Sequence, residues 1–291
     1  MEVFLQTLVS GMLKGGLYGL IGMGMTLIMG VMGIINLAHG QLMMIAMYIT
    51  FVSFHYLGLD PYLALFISMP LLFLLGVIIQ KFALNPLMKV DSILPENQVL
   101  MTVGIGMVLT EIARFIFSSD YKSVKTSYSS STFFLGKISF SIPLTIAFFV
   151  AVIFTLLMFW FLIKTDLGRS IRATAQDKDA ARLMGVDSEK ITIITFGIGS
   201  SLVAAAGTLL MPVYYLFPDI GDAFTRKAFI ITILGGLGST IGAIFGGLTL
   251  GLAEAFGATY IGMAFDDIIG MIIFILVLLF FPNGFKRLTR V

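Results

Sequence analysis

The amino-acid sequence predicts an all-α polytopic membrane protein with about eight transmembrane helices and a short half-helix near 226–234. Three observations carry this prediction. First, 58% of the 291 residues are hydrophobic, only 12% are charged, and the mean hydropathy is +1.02. A soluble domain is nearer half apolar and a quarter charged. Second, the apolar residues are gathered into runs long enough to cross ~30 Å of hydrocarbon, where a backbone must be helical to satisfy its own polar groups. Third, six of the 18 Lys and Arg residues lie in Lys164–Lys190: Lys164, Arg169, Arg172, Lys178, Arg182 and Lys190. That polar stretch is too short to bury a core of its own, so it reads as a docking surface for a soluble partner. Residues 1–291 are taken as a single transmembrane domain.

Taken in order, the spans run 4–31, 37–57, 62–82, 97–117, 142–164, 191–212, 240–257 and 265–282. The first is apolar from Val3, lacks a basic n-region and exceeds a signal-peptide core, so it is read as an uncleaved span. Gly58–Pro61 is a turn, Ser118–Ser141 a long loop rich in Ser, Thr and Tyr, and Phe217–Arg226 a connection carrying Asp219 and Asp222. The Lys/Arg bias places 164–190 in the cytoplasm, together with Lys286, Arg287 and Arg290 at the C-terminus. Parity then requires 213–264 to enter and leave on the outer side. A broken hairpin does this: 226–234 goes in, Gly235, Gly236 and Gly238 reverse it, and 240–257, with Gly242 near its start, comes back out. The same parity puts the N-terminus outside. Gly11, Gly15 and Gly19 on the first span, and Gly246, Gly247 and Gly251 on a later one, have the spacing at which helices pack closely in lipid.

Several function classes are excluded. The chain has no Cys and two His, so disulfides and thiol catalysis are out and no metal site or cofactor is expected. The run Gly235–Gly242 has no strand before it and no Lys-Ser/Thr after it, and Gly-x4-Gly-Lys-Ser/Thr occurs nowhere. The chain is therefore not expected to be an enzyme; if ATP powers it, the ATPase is another chain.

The polar candidates are few. Asn36, His39 and Gln41 sit between two apolar spans, with Asn36 a candidate N-cap for the second helix. They read either as a polar kink lining a translocation path or as a cap and turn at the membrane surface. Glu111 and Arg114 can pair locally as a snorkelling ion pair, and Glu254 lies near a span end. No set of groups matches an α-amino and α-carboxyl pair at mid-membrane, so weak substrate binding is expected. In the docking stretch, Gln176–Met184 predicts a short helix with Gly185 at its C′ position and Asp187 capping the next span. Asp179, Ala180, Ala181, Leu183, Met184 and Gly185 are the candidate docking residues.

These residues resemble a family. Gly33-Ile34-Ile35-Asn36-Leu37-Ala38-His39-Gly40, then Gly168-Arg169-Ser170-Ile171-Arg172-Ala173 through Gly185, then Ile233-Leu234-Gly235-Gly236-Leu237-Gly238-Ser239 with Gly242 and Gly246-Gly247, look like signatures of the high-affinity branched-chain amino acid ABC permeases of the LivH/LivM type. Asp179-Ala180-Ala181-x3-Gly185 also echoes the Glu-Ala-Ala…Gly motif of bacterial import permeases, with Asp for Glu and no Ile-x-Leu-Pro at its end. The resemblance implies a heterodimer with a second permease, two cytoplasmic ATPase subunits, an extracytoplasmic substrate-binding protein and a bacterial inner-membrane location. Two other readings stand beside it: an ion-coupled secondary transporter, and a channel for small neutral solutes such as urea or amides. A carrier needs charges at mid-membrane beside broken helices.

Overall fold

A computed structural model describes residues 1–88, 95–262 and 265–280. The helices in order are α1 (Glu2–Met32), α2 (His39–Leu57), α3 (Leu65–Ile79), α4 (Asn85–Met88), α5 (Pro95–Phe117), α6 (Ile142–Lys164), α7 (Asp166–Gln176), α8 (Lys178–Leu183), α9 (Ser188–Leu210), α10 (Ile220–Gly235), α11 (Thr240–Tyr260) and α12 (Asp266–Phe280). Among the described residues, seven helices are long and apolar enough to span a membrane, one of them the continuous run Leu65–Leu87. The predicted eighth span corresponds to α12. Its described part has 15 residues, and the basic C-terminal residues lie outside the described ones.

α3 passes into α4 through a π-turn at Gln80–Leu84. Pro86 has no N–H and crowds the carbonyl four residues before it. The chain widens just ahead of it, and the Asn85 N–H bonds the Gln80 carbonyl.

Close backbone packing organises the bundle. α1 and α11 run antiparallel with glycines facing each other. A Cβ on Gly247 would land on the backbone of Gly19, and one on Gly251 on the backbone of Gly15. α1 then packs on α9 where Gly24 meets Gly199, and α9 packs on α3 where Gly197 and Ser200 meet Phe73, Val77 and Gly76. Hydroxyls tie the outer helices to this centre: Thr50 Oγ1 donates to Thr208 Oγ1 at 3.0 Å, and Ser68 and Thr208 share a bond at 2.7 Å.

The loop predicted over 118–141 contains a two-stranded hairpin, β1 (Thr132–Leu135) and β2 (Ile138–Ser141), with Phe133 stacked on Phe140. Gln6 of α1 donates to Ser139 O and accepts from Ser139 N, both at 2.8 Å, and Lys137 pairs with Glu2. This end of the bundle is opposite the one that carries α7 and α8.

Three expectations need correction. The half-helix 226–234 is the second half of α10, which starts six residues earlier. Asp222 in its first turn complements the helix N-terminus, and Gly221 lets that turn lie on the backbone of Gly40 and Gln41. At 16 residues, or ~24 Å at ~1.5 Å per residue, α10 still falls short of a full span. Residues 166–176, expected as loop, form α7, capped by Thr165 Oγ1 accepting from Gly168 N. Asn36 does not cap α2; the N-cap position is Ala38, and Asn36 Oδ1 accepts from Ala38 N at 3.1 Å in a local turn. Glu254, expected near a span end, lies inside the bundle. It is 1% exposed, because α11 continues to Tyr260 and a lysine meets it inside the bundle.

The glycine seam predicts that Gly247→Leu, which puts a side chain into the α1 backbone, destabilises the protein by about 1–3 kcal/mol. Gly104, with nothing within 4 Å of an added Cβ, should accept Ala with a change within about 1 kcal/mol. Thermal melts in detergent check both.

Candidate translocation site

The segment after α1 turns back into the bundle. Gly33 ends α1 with φ +73, and Ile34, Asn36 and Ala38 are buried. Irregular backbone is tolerated at such depth only where protein covers it and satisfies its polar groups. Here Leu37 N donates to Thr102 Oγ1 of α5 at 3.0 Å, and Gly40 N donates to Thr225 Oγ1 of α10 at 2.9 Å. His39 Nε2 donates to the Ile21 carbonyl at 3.0 Å. The three polar residues singled out in the sequence thus have different situations. All three are buried, and Asn36 Nδ2 and His39 Nδ1 have no hydrogen-bond partner among the described residues. Gln41 reaches the neighbouring α10, where its Nε2 donates to Asp222 Oδ1 at 2.6 Å.

Gln41 also lies against Gly106, the midpoint of α5. The polar contact between α2, α5 and α10 is therefore at mid-depth of a spanning helix. Asp222 and Arg226, four residues apart on α10, are both exposed. Further along the same side, Arg114 pairs with Glu111, as the spacing predicted, and also with Asp219 at 2.8 Å.

A second polar cluster went unread in the sequence. Lys227 forms an ion pair with Glu254, and Tyr18 Oη donates to Glu254 Oε2 at 2.7 Å. The Lys227 ammonium also sits 5.3 Å from the centre of the Tyr18 ring, an attractive cation–π geometry. Side-chain exposures of 12% and 1% for Lys227 and Glu254 make this a buried charge pair joining α1, α10 and α11. The signal was available, since both residues are ionisable in otherwise apolar runs, but 226–234 reads as apolar once Arg226 and Lys227 are averaged into it.

The third feature is the end of the bundle bearing α7 and α8. Asp177 Oδ1 accepts from Asp179 N and Ala180 N, both at 2.9 Å, and so caps α8. Gly185 follows at φ +86, a conformation only glycine adopts freely, and Asp187 caps α9 by accepting from Lys190 N at 3.1 Å. That N–H and the Lys190 ammonium hold the Asp187 carboxyl below its ordinary range. Burial, and after it the Arg182 charge, lowers the pKa of Lys178. Leu183 and Met184 are 89% and 84% exposed, and Asp179 and Ala180 are exposed beside them. Ala181 is only 4% exposed, so its methyl packs against the body of the chain, whereas the sequence reading counts it among the candidate docking residues.

Behind α8, α7 lies beside the turn between α10 and α11. A cavity of about 310 Å³ is lined there by Gly30, Arg172, Ala175 and Gly238, among others. In the turn, Gly235 and Gly242 meet backbone to backbone, Gly236 ends α10, and Gly238 takes φ +78 against Gly30. The glycine-rich run is thus the closed end of the α10–α11 hairpin.

The buried pair predicts a non-additive mutant cycle. Lys227→Met should destabilise by about 3–5 kcal/mol because it strands the Glu254 charge, and the double variant K227M/E254L should cost less than the single. Thermal melts of the three variants read this directly; a double variant worse than K227M would show that the pair is not a closed unit.

The chain matches the family described as branched-chain amino acid transport system / permease component over residues 7–280. It is 36% identical to the high-affinity branched-chain amino acid transport system permease protein BraD of Pseudomonas aeruginosa, over 97% of this chain and 95% of that protein. It is 30% identical to LivH of Salmonella typhimurium, over 97% and 94%. It is 28% identical to the probable branched-chain amino acid transport permease protein LivH of Methanocaldococcus jannaschii, over 93% and 90%. With a family match along nearly its whole length and spanning helices in place, the chain belongs to the branched-chain amino acid transport permeases.

Proposed function

We propose that this chain is one permease subunit of an ATP-binding-cassette importer that brings branched-chain or related amino acids into the cytoplasm. It works beside a second permease subunit, with two cytoplasmic ATPases below and a substrate-binding protein on the outer side of a bacterial inner membrane. The observation that carries this reading is the likeness along 97% of the chain to permease proteins of high-affinity branched-chain systems. The resemblance noted in the sequence points the same way.

The geometry supports a division of labour. α8, with Leu183 and Met184 outward, offers a compact apolar knob with a charged rim. In an ATPase groove, burial of the two side chains would supply the affinity, and Arg182 and Lys190 would steer the encounter. α7 and the glycine turn face each other across the cavity of about 310 Å³ and both meet Gly30 of α1, so in this reading a push on α8 is passed through α7 and Gly30 to the α10–α11 hairpin. In this reading residues 164–190 and the C-terminus lie on the cytoplasmic side. Lys227 and Glu254 are closed on each other and on Tyr18, which leaves a carrier mechanism no open charge at that position.

Two experiments test the reading. In proteoliposomes, uptake should require ATP, both permeases and both ATPases; uptake by this subunit alone, driven by an ion gradient, would refute it. Met184→Asp should insert normally yet weaken ATPase binding about tenfold or more, since burying an unpaired charge exceeds the ~1.4 kcal/mol that a factor of ten represents. Pull-down and substrate-stimulated hydrolysis measure this, and an unchanged ATPase affinity would remove α8 from the interface.

A further inference from the structure

α10 presents two unlike faces. One is packed: Gly221 lies on Gly40 and Gln41, and Ile231 lies against Gly22. The other carries Asp222 and Arg226, both exposed; Asp222 bonds Gln41, which lies against Gly106 in the middle of α5, and Arg226 follows one turn further along. A charge turned toward lipid at that depth costs ~2.5–3.5 kcal/mol or more. This face is therefore covered by protein or water when the chain is in its membrane. The spacing of the two residues allows an ion pair on one helix, yet none forms. Asp222 is held instead by Gln41, whose Nε2 sits 2.6 Å from Oδ1. Arg226 makes no hydrogen bond or ion pair with any described residue. The result is an acid and a guanidinium of opposite sign, one helical turn or ~6 Å apart along the axis, held separate by a third side chain.

We propose that Asp222 and Arg226 are the groups that receive a zwitterionic amino acid during its passage, Asp222 taking the ammonium and Arg226 the carboxylate. This deepens the function proposed above and rests on it. A carboxylate accepts from an ammonium, and a guanidinium donates in a fork that matches a carboxylate. A neutral amide or urea supplies neither charge, so the pair discriminates by chemistry against such solutes. Gln41 is a positioning residue: by occupying Oδ1 it keeps Asp222 from collapsing onto Arg226. Because the site has two charged contacts and stands open on one side, it suits transit and weak holding.

The test uses the complete complex in proteoliposomes, with its binding protein and a labelled mixture of L-amino acids as probe. Asp222→Asn keeps the side chain's size and removes its charge; Arg226→Gln removes the other. Each should lower ATP-driven uptake about tenfold, a loss of ~1.4 kcal/mol. The second permease and the ATPases should still co-purify, and stimulated hydrolysis should persist. Arg226→Lys, which keeps the charge, should restore most of the uptake. Parental uptake in both charge-removing variants overturns the proposal. So does loss of the second permease from R226Q, which would make Arg226 an intersubunit ion-pair partner, and so does loss of hydrolysis in step with uptake, which would place the pair in coupling. If the parental complex moves urea and none of the amino acids, the proposed function fails first, in an arm that involves no variant.

Discussion

In a bilayer the hydrophobic effect does not press one helix against another, so association must come from close packing and from polar contacts between helices. The α1–α11 seam meets that constraint with glycine on glycine, Gly15 and Gly19 against Gly251 and Gly247. Much else follows from it. The seam brings Tyr18 to Glu254, and Lys227 then ties α10 to both helices. It also sets the far end of α1, where Gly30 meets the α10–α11 turn and Ala175 of α7. Without that approach the buried carboxylate would have no phenol beside it and the hairpin no floor.

In the proposed function α10 is the element through which site and motor meet. It begins at mid-depth on the backbone of Gly40 and Gln41, carries its charges on the open face, and ends in a glycine turn beside α7. In that reading a displacement of α8 crosses α7, Gly30 of α1 and the turn to reach Asp222 and Arg226. The link from α7 to the turn runs through Gly30 of α1, which meets both Ala175 and Gly238, and packed helices move as bodies and do not bend continuously. A helix shorter than a full span suits this proposed role, since it could shift without pulling a full span through the bilayer.

The fold was largely legible in the sequence because apolar run length is a strong signal. Seven spans, the short α8, its Gly185 exit and the Asp187 cap all follow from length and local turn chemistry. What failed depended on partners distant in the chain. Asn36 looked like a cap because only tertiary packing shows that Ala38 holds that position. α10 looked shorter because Asp219, Asp222 and Arg226 resemble a loop until Gly40 and Gln41 are placed against them. Ala181 looked like part of the knob because α8 alone does not reveal which side meets the body. Lys227 and Glu254 lie 27 residues apart, and nothing local pairs them. The comparisons added the family, which the three motifs had already suggested in order along the chain.

The central claim is that ATP-driven movement at α8 is delivered to α10 through the glycine turn. The chain has no native Cys, so spin labels can be placed at Ala223 on α10 and Val108 on α5 without background. Pulsed electron–electron distance measurements should then be made on the assembled complex, nucleotide-free and trapped with ATP and vanadate. The account predicts that the separation changes on trapping in the parental chain and stays fixed when Gly238→Val stiffens the turn. An unchanged separation in a parental complex that is hydrolysing ATP and importing substrate would contradict it.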